Sequence, residues 1–278
     1  MTTPVLLAVL GAAFLHAAWN AVVKVGASKV GAMVVVSLFE AALGAAVVLA
    51  LPPVAPAAWP WIVGASLTHL VYKTALTFAY ERGDLSRVYP IARGAAPMAV
   101  ALVGAFALPD AVSAQDYAGI VVLGSGILLM ASGVFRAHED GRLLPFALLS
   151  AAATATYTLL DGLGARASGE PATYVGWVFV GGGLVYVLAA LPWKGPGVLP
   201  RRPRDWALGA GGALASYGAY GVSIWAMTIA PIAVVAALRE TSILWAVLIG
   251  WLLFGERMDA RKGLAALLIV AGVVLTRL

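Results

Sequence analysis

The sequence predicts an all-α integral membrane protein of ten transmembrane helices, arranged as two inverted five-helix repeats around a central cavity. Three observations carry that prediction. Hydrophobic residues make up 62% of the 278, charged residues only 11%, and mean hydropathy is +0.94, far from the roughly 45–50% apolar and ~25% charged of a soluble domain. Apolar runs of about 20 residues, the length that crosses ~30 Å of hydrocarbon as a helix, recur along the whole chain. Finally, residues 235–276 align with residues 89–130 at a constant offset, which sets Arg239 on Arg93, Gly250 on Gly104, Glu256 on Asp110 and Gly272 on Gly126.

Taken in order, with Pro, Gly and charge as boundaries, the runs fall near residues 4–23, 31–51, 60–80, 86–107, 116–135, 144–165, 171–191, 206–229, 232–253 and 261–276. Span 1 follows Met-Thr-Thr-Pro without the basic start of a secretory signal, and its run is full length, so it reads as a retained helix. Span 1 aligns on span 6, pairing Trp19 with Tyr157 and Gly26 with Gly164, and span 3 on span 8, pairing Trp59 with Trp206 and Phe78 with Trp225. The repeats therefore divide the chain at 1–140 and 141–278 within one integrated transmembrane domain. Five spans is an odd number, so the second copy enters the membrane from the opposite face and the repeats are inverted. Connections are short, the longest running from Pro192 to Asp205, and leave no extramembrane domain. Glycine clusters such as Gly181-Gly182-Gly183 and Gly209, Gly211 and Gly212 suit close helix approach in lipid.

Basic residues orient the chain. Connections after the odd spans hold Lys24, Lys29, Arg82, Arg87, Arg136, Arg142, Lys194, Arg201, Arg202, Arg204, Arg257, Arg261 and Lys262, while the other side has Arg166 and Arg277. By the positive-inside rule the odd connections face the cytoplasm and both termini lie on the non-cytoplasmic side. The net charge of +5 is thus explained by topology, with no nucleic-acid partner. The absence of cysteine excludes disulfides and thiolate metal sites.

Charge inside the spans is scarce, which makes each case informative. Glu40, Lys73, Arg93, Asp161, Arg239 and Glu240 lie well within them, where a charge in hydrocarbon costs about 2.5 kcal/mol or far more. Arg93 and Arg239 stand out, because the repeat brings them toward the midplane from opposite faces, and a guanidinium can grip a carboxylate with two hydrogen bonds. Glu240 can receive an ammonium or carry a proton; its structural alternative is a salt bridge to Lys73 or Arg93. His16 and Asn20 share a face of span 1 beside Trp19, and His69 and Lys73 repeat that spacing on span 3. Histidine there suits proton coupling, and equally a satisfied interhelical hydrogen bond.

Trp59, Trp61, Trp193 and Trp206 at span ends read as interfacial anchors. Tyr72, Tyr157, Trp225 and Trp245 lie within spans, as do Tyr80, Tyr217 and Tyr220, and facing a cavity they would suit a ligand with an apolar body and a charged end. Pro90 and Pro97 bracket Arg93, and Pro231 precedes Arg239, which makes these prolines candidate hinges. Neither a metal site nor a cofactor motif is present: the three histidines, His16, His69 and His138, form no ligand spacing. G-x-S-x-G, H-E-x-x-H and the phosphate-binding G-x-x-x-x-G-K-[ST] are all missing.

The stretch GWLLFGERMDARKGLAALLIVAGVVLT, Gly250 to Thr276, resembles the terminal helix pair of EamA-type members of the drug/metabolite transporter superfamily. FLHAAWNAVVKVG, Phe14 to Gly26, is similar to the first helix of a bacterial subgroup, so that with the two halves the resemblance spans essentially the whole chain. Within the superfamily the chain is most similar to YddG-like exporters of aromatic and other amino acids. That resemblance implies a ten-helix basket with a central cavity in the bacterial inner membrane. It also implies a small-molecule substrate such as an amino acid, the lipid bilayer as the other partner, and a chain that can work as a monomer. The residues alone supply repeats, a midplane site and hence alternating access; amino-acid export comes only from the resemblance. A multidrug exporter of lipophilic cations, using Glu40 or Glu240 as its essential carboxylate, is the alternative reading.

Overall fold

The computed structural model describes residues 1–26, 28–82, 88–89, 92–93, 96–108, 110–132, 143–256 and 258–276. All regular structure among them is helical. The first half supplies α1 (Thr3–Val25), α2 (Lys29–Ala50), α3 (Trp59–Arg82), α4 (Ala96–Ala107) and α5 (Ala114–Ala131), with residues 88–89 and 92–93 also helical. The second half supplies α6 (Leu143–Ser168), α7 (Pro171–Lys194), α8 (Pro203–Ile229), α9 (Ile232–Arg239), α10 (Ser242–Phe254) and α11 (Ala260–Leu275).

Local chemistry sets these boundaries. Ser28 caps α2 by accepting from the Gly31 N–H, Ser113 and Asp116 form a reciprocal capping box on α5, and Asp259 accepts from the Lys262 N–H at the start of α11. The Gly-Glu signature at the end of α10 has a backbone reason: Gly255 takes φ +66°, the left-handed geometry that closes a helix.

The expectation of ten apolar spans is supported in part among the described residues. Five stretches are long and apolar enough to cross a bilayer by themselves: α1, α2, α6, α7, and Ile232–Phe254, which is α9 and α10 taken together. Helices α3 and α8, at 24 and 27 residues, are long enough but carry more polar surface, including His69 and Lys73 on α3. The 16 residues of α11 reach only ~24 Å. Buried polar side chains on α3 are turned toward other helices, so their cost is met inside the bundle and not in lipid.

Span 9 is broken. Helix α9 ends at Arg239, and the chain turns through Glu240 and Thr241 before α10 begins. Short-range bonds replace the α pattern there, with Glu240 N donating to Ala237 O, Thr241 N to Leu238 O and Ile243 N to Glu240 O.

Helix α2 packs along α7, α3 along α6, α1 along α8, α5 along α11, and α4 against α9. Two crossings are close enough to require glycine on both sides. A Cβ on Gly44 would stand 2.5 Å from the Gly176 carbonyl oxygen, and one on Gly272 would stand 2.6 Å from that of Gly119.

The two ends of the bundle are tied differently. At one end the Lys24 ammonium donates to Tyr80 O at 3.4 Å, and Gly26 and Ser28 line a common cleft with residues 197–202. At the other, Ala55 N donates to Ser168 O, and Arg166 grips Asp110 through two bonds of 2.6 and 3.1 Å while also donating to Met227 O and Ala230 O. Asp110 additionally accepts from Ile232 N at 2.8 Å, so one ion pair joins the starts or ends of four spans.

Candidate functional site

Polar side chains from α1, α2, α3, α6, α8 and the α9–α10 break converge on the middle of the bundle. Arg93 and Glu240 form a bidentate pair, with Nη2 to Oε1 at 2.6 Å and Nε to Oε2 at 3.3 Å, and Arg93 Nη1 donates to Tyr157 Oη at 3.0 Å. Both residues are buried. The helix break makes this geometry available, because it releases Glu240 from the regular helix beside Arg239.

A second pair lies between α3 and α2. Lys73 Nζ donates to Glu40 Oε2 at 2.5 Å and to Ser37 Oγ at 2.9 Å, and Ser216 Oγ donates to Glu40 Oε1 at 2.6 Å. Both carboxylate oxygens of Glu40 and two of the three ammonium protons of Lys73 therefore meet a partner, which makes burial of the ion pair tolerable.

Asp161, one helical turn beyond Tyr157 on α6, is fully buried and accepts from the hydroxyls of Tyr220 and Tyr174. His69 Nε2 is 3.0 Å from Tyr220 Oη and 3.9 Å from Asp161 Oδ2. The His69 ring stacks on Tyr157 at 4.4 Å, and Tyr72 meets Tyr157 edge-on at 5.4 Å.

Glu40, Lys73, His69, Tyr72, Tyr157, Ser216 and Tyr220 line a small cavity of about 20 Å³, room for about one water, to which Arg93 and Asp161 connect through their bonds to Tyr157 and Tyr220. Of the residues expected at the site, His16, Trp19, Lys73, Tyr72 and Tyr157 line it. Asn20 sits one step behind, donating to His16 O and accepting from Tyr80 Oη at 2.8 Å. Trp19 Nε1 donates to His16 Nδ1 at 3.3 Å.

Trp225 and Trp245 do not join the cavity: they are 43% and 39% exposed on the outside of the bundle, where Trp245 packs edge-on against Phe14. Trp225 lies five residues past the cavity-lining Tyr220, which rotates it well away around α8. Pro231 is the N-cap of α9, a helix start where proline costs little, and Pro97 lies in α4 just past residues 94 and 95, which are outside the described residues. Pro90, like Arg87, Arg136, Arg142, Arg257, Arg277 and His138, lies outside the described residues.

Arg239 departs most from its repeat counterpart. It is 4% exposed, yet among the described residues no hydrogen bond or ion pair reaches it, and its Nη2 is buried without a partner. Its guanidinium carbon stands 5.9 Å from the centre of the Tyr220 ring. Tyr220, one of the in-span tyrosines, lines the cavity, and Ser216 and Phe179 join it beyond the expected set. Ser216 and Tyr220 are four apart on α8, and that shared face was the available signal.

Residues 142–278 match the model of the EamA-like transporter family. A solved structure titled "Crystal structure of protein" is similar over nearly the full length, with a TM-score of 0.73, 15% identity, and 99% of this chain and 98% of that chain covered. No curated protein matches. The family matched is one of transporters, not of catalytic enzymes, and the likeness to the solved structure shows that the fold is shared. Among the described residues no group of His, Cys, Asp and Glu is placed to hold a metal ion.

Proposed function

We propose that the chain is a secondary transporter that exports small amphipathic metabolites, foremost aromatic and other neutral amino acids, across the inner membrane by alternating access. The observation that carries this reading is the charged, aromatic-walled centre built at the break of span 9. Discontinuous helices at the midplane are how membrane proteins present backbone and charge to a substrate. The cavity of about 20 Å³ is too small for an amino acid, so a substrate enters only when the bundle opens.

Two further observations support inverted repeats. Exchanging spans 1–5 with spans 6–10 turns the α1–α8 contact into α6–α3, and returns the α2–α7, α4–α9 and α5–α11 contacts to themselves. The Lys24 bond to Tyr80 O and the Arg166 bond to Met227 O land on carbonyls related by the same offset that aligns Trp59 with Trp206. On this reading the Asp110–Arg166 tie closes the non-cytoplasmic end, the odd connections face the cytoplasm, and the prolines flanking spans 4 and 9 are where bending is easiest. The lipophilic-cation reading is weakened by geometry, because Glu40 and Glu240 are each engaged by a buried cation.

Purified protein in liposomes, assayed for exchange of labelled amino acids and a metabolite panel with and without a pH gradient, tests the proposal. Saturable exchange of at least one neutral amino acid is expected. If only lipophilic cations move, the alternative takes its place; if nothing saturates, the transport reading fails.

A further inference from the structure

The central charges form an unequal ledger. Six buried charged residues face the middle, three of each sign, and two pairs are closed: Arg93 with Glu240 and Lys73 with Glu40. Arg239 and Asp161 are left over. Asp161 is satisfied by two tyrosine hydroxyls, whereas Arg239 has neither a carboxylate nor a hydrogen-bond acceptor among the described residues. A guanidinium has five donors in a planar fork, and leaving a buried donor unmet is costly.

Arg239 is not alone in this. His16 Nε2 and Tyr72 Oη are also buried without partners, and both residues line the central cavity. The Arg239 guanidinium lies over the ring of Tyr220, which lines the same cavity. Two unpartnered polar atoms, on α1 and α3, thus belong to cavity-lining residues, and the third belongs to a buried cation against the back of one of the cavity's walls. Two orphans at the cavity with that cation beside them ask for a polar ligand that accepts hydrogen bonds and carries negative charge.

We infer that Arg239 is the residue that anchors the carboxylate of the transported molecule, with the Tyr72 hydroxyl and His16 Nε2 placed to complete its hydrogen bonding. Arg93, its repeat counterpart, is a positioning residue whose charge is spent on Glu240. The inference rests on the transport reading and narrows it to monocarboxylates with an apolar or aromatic body. A zwitterionic amino acid fits, because the Tyr220 ring that Arg239 covers carries at its hydroxyl the bond to the carboxylate of Asp161.

The test is a binding series on the purified, full-length protein, followed by ligand-induced thermal stabilisation and calorimetry. The probes are L-tryptophan, L-leucine, 3-indolepropionate, L-tryptophanamide and tryptamine. Wild-type protein is expected to bind the carboxylates and to lose about tenfold or more in affinity for the amide and the amine. Arg239→Gln is expected to lose the carboxylates by a similar factor, and Arg239→Lys to recover part of the loss.

Equal binding of acid and amide by wild type, retained affinity in Arg239→Gln, or no carboxylate binding at all each overturn the inference. The wild-type series needs no variant to fold. Failure of liposome flux for every compound would sink the transport reading separately, while the carboxylate anchor still stands or falls on binding.

Discussion

Replacing Glu240 with Gln keeps the side chain's shape and removes the charge that holds Arg93. Arg93 then keeps only the 3.0 Å bond to Tyr157 and a weaker contact to the amide, in a position 1% exposed. Breaking a buried ion pair from one side costs about 3–5 kcal/mol in soluble proteins. Polar groups in an unfolded membrane chain still find partners, which softens such losses toward about 2–4 kcal/mol here. For a chain of this size that lowers the unfolding midpoint by roughly 4–8 °C, at about 2 °C per kcal/mol.

Arg93→Gln should cost a similar amount, because it strands Glu240. The double variant Arg93→Gln/Glu240→Gln should be less damaging than the two losses added, with a coupling of about 2 kcal/mol, since neither charge is left alone. Arg239→Gln breaks no pair and removes an uncompensated buried cation, so its midpoint should stay unchanged or rise. Thermal unfolding of the purified proteins, read by tryptophan fluorescence, compares all four. Additive losses in the double variant, or a loss in Arg239→Gln as large as in Glu240→Gln, would refute the assignment of a structural role to one arginine and a free one to the other.

Lys73→Met should cost about 2–4 kcal/mol of stability by stranding Glu40, and Lys73→Met/Glu40→Gln should recover part of it; an unfolding comparison of the two checks this. Asp110→Asn removes the charge that Arg166 grips at one end of the bundle. Faster amide exchange at Ile232, whose N–H bonds to Asp110, is expected in that variant, together with a midpoint lower by only a few degrees. Exchange unchanged at Ile232 would mean that the tie does not hold that end closed.

Span positions were legible because a membrane enforces length: the runs at 4–23 and 171–191 became Thr3–Val25 and Pro171–Lys194. The alignment of residues 235–276 on 89–130 led to both arginines, which the structure buries. Their division of labour was not legible, because it depends on Glu240, and the position equivalent to Glu240 in the first half is Gly94. The break at Arg239–Thr241 carries neither Pro nor Gly and left no local mark. Trp225 and Trp245 were misplaced for a general reason. Lipid and helix interface are both apolar, so sequence alone does not show which face of a span looks inward. The tie between Asp110 and Arg166 joins connections far apart in sequence, where Asp110 had stood out only as the counterpart of Glu256 and Arg166 only as a charge that orients the chain.

The most direct test of the account uses the absence of native cysteine. Ser216 lines the central cavity beside Glu40, and Ser216→Cys changes one atom there. In a cavity of about 20 Å³ a thiol reagent has no room, so labelling reports opening. In vesicles of each orientation, a membrane-impermeant thiol reagent should label this cysteine from either side in turn, and a transported amino acid should slow the labelling. Access from one side only, or labelling at the same rate with saturating substrate, would contradict a central site reached alternately from both faces.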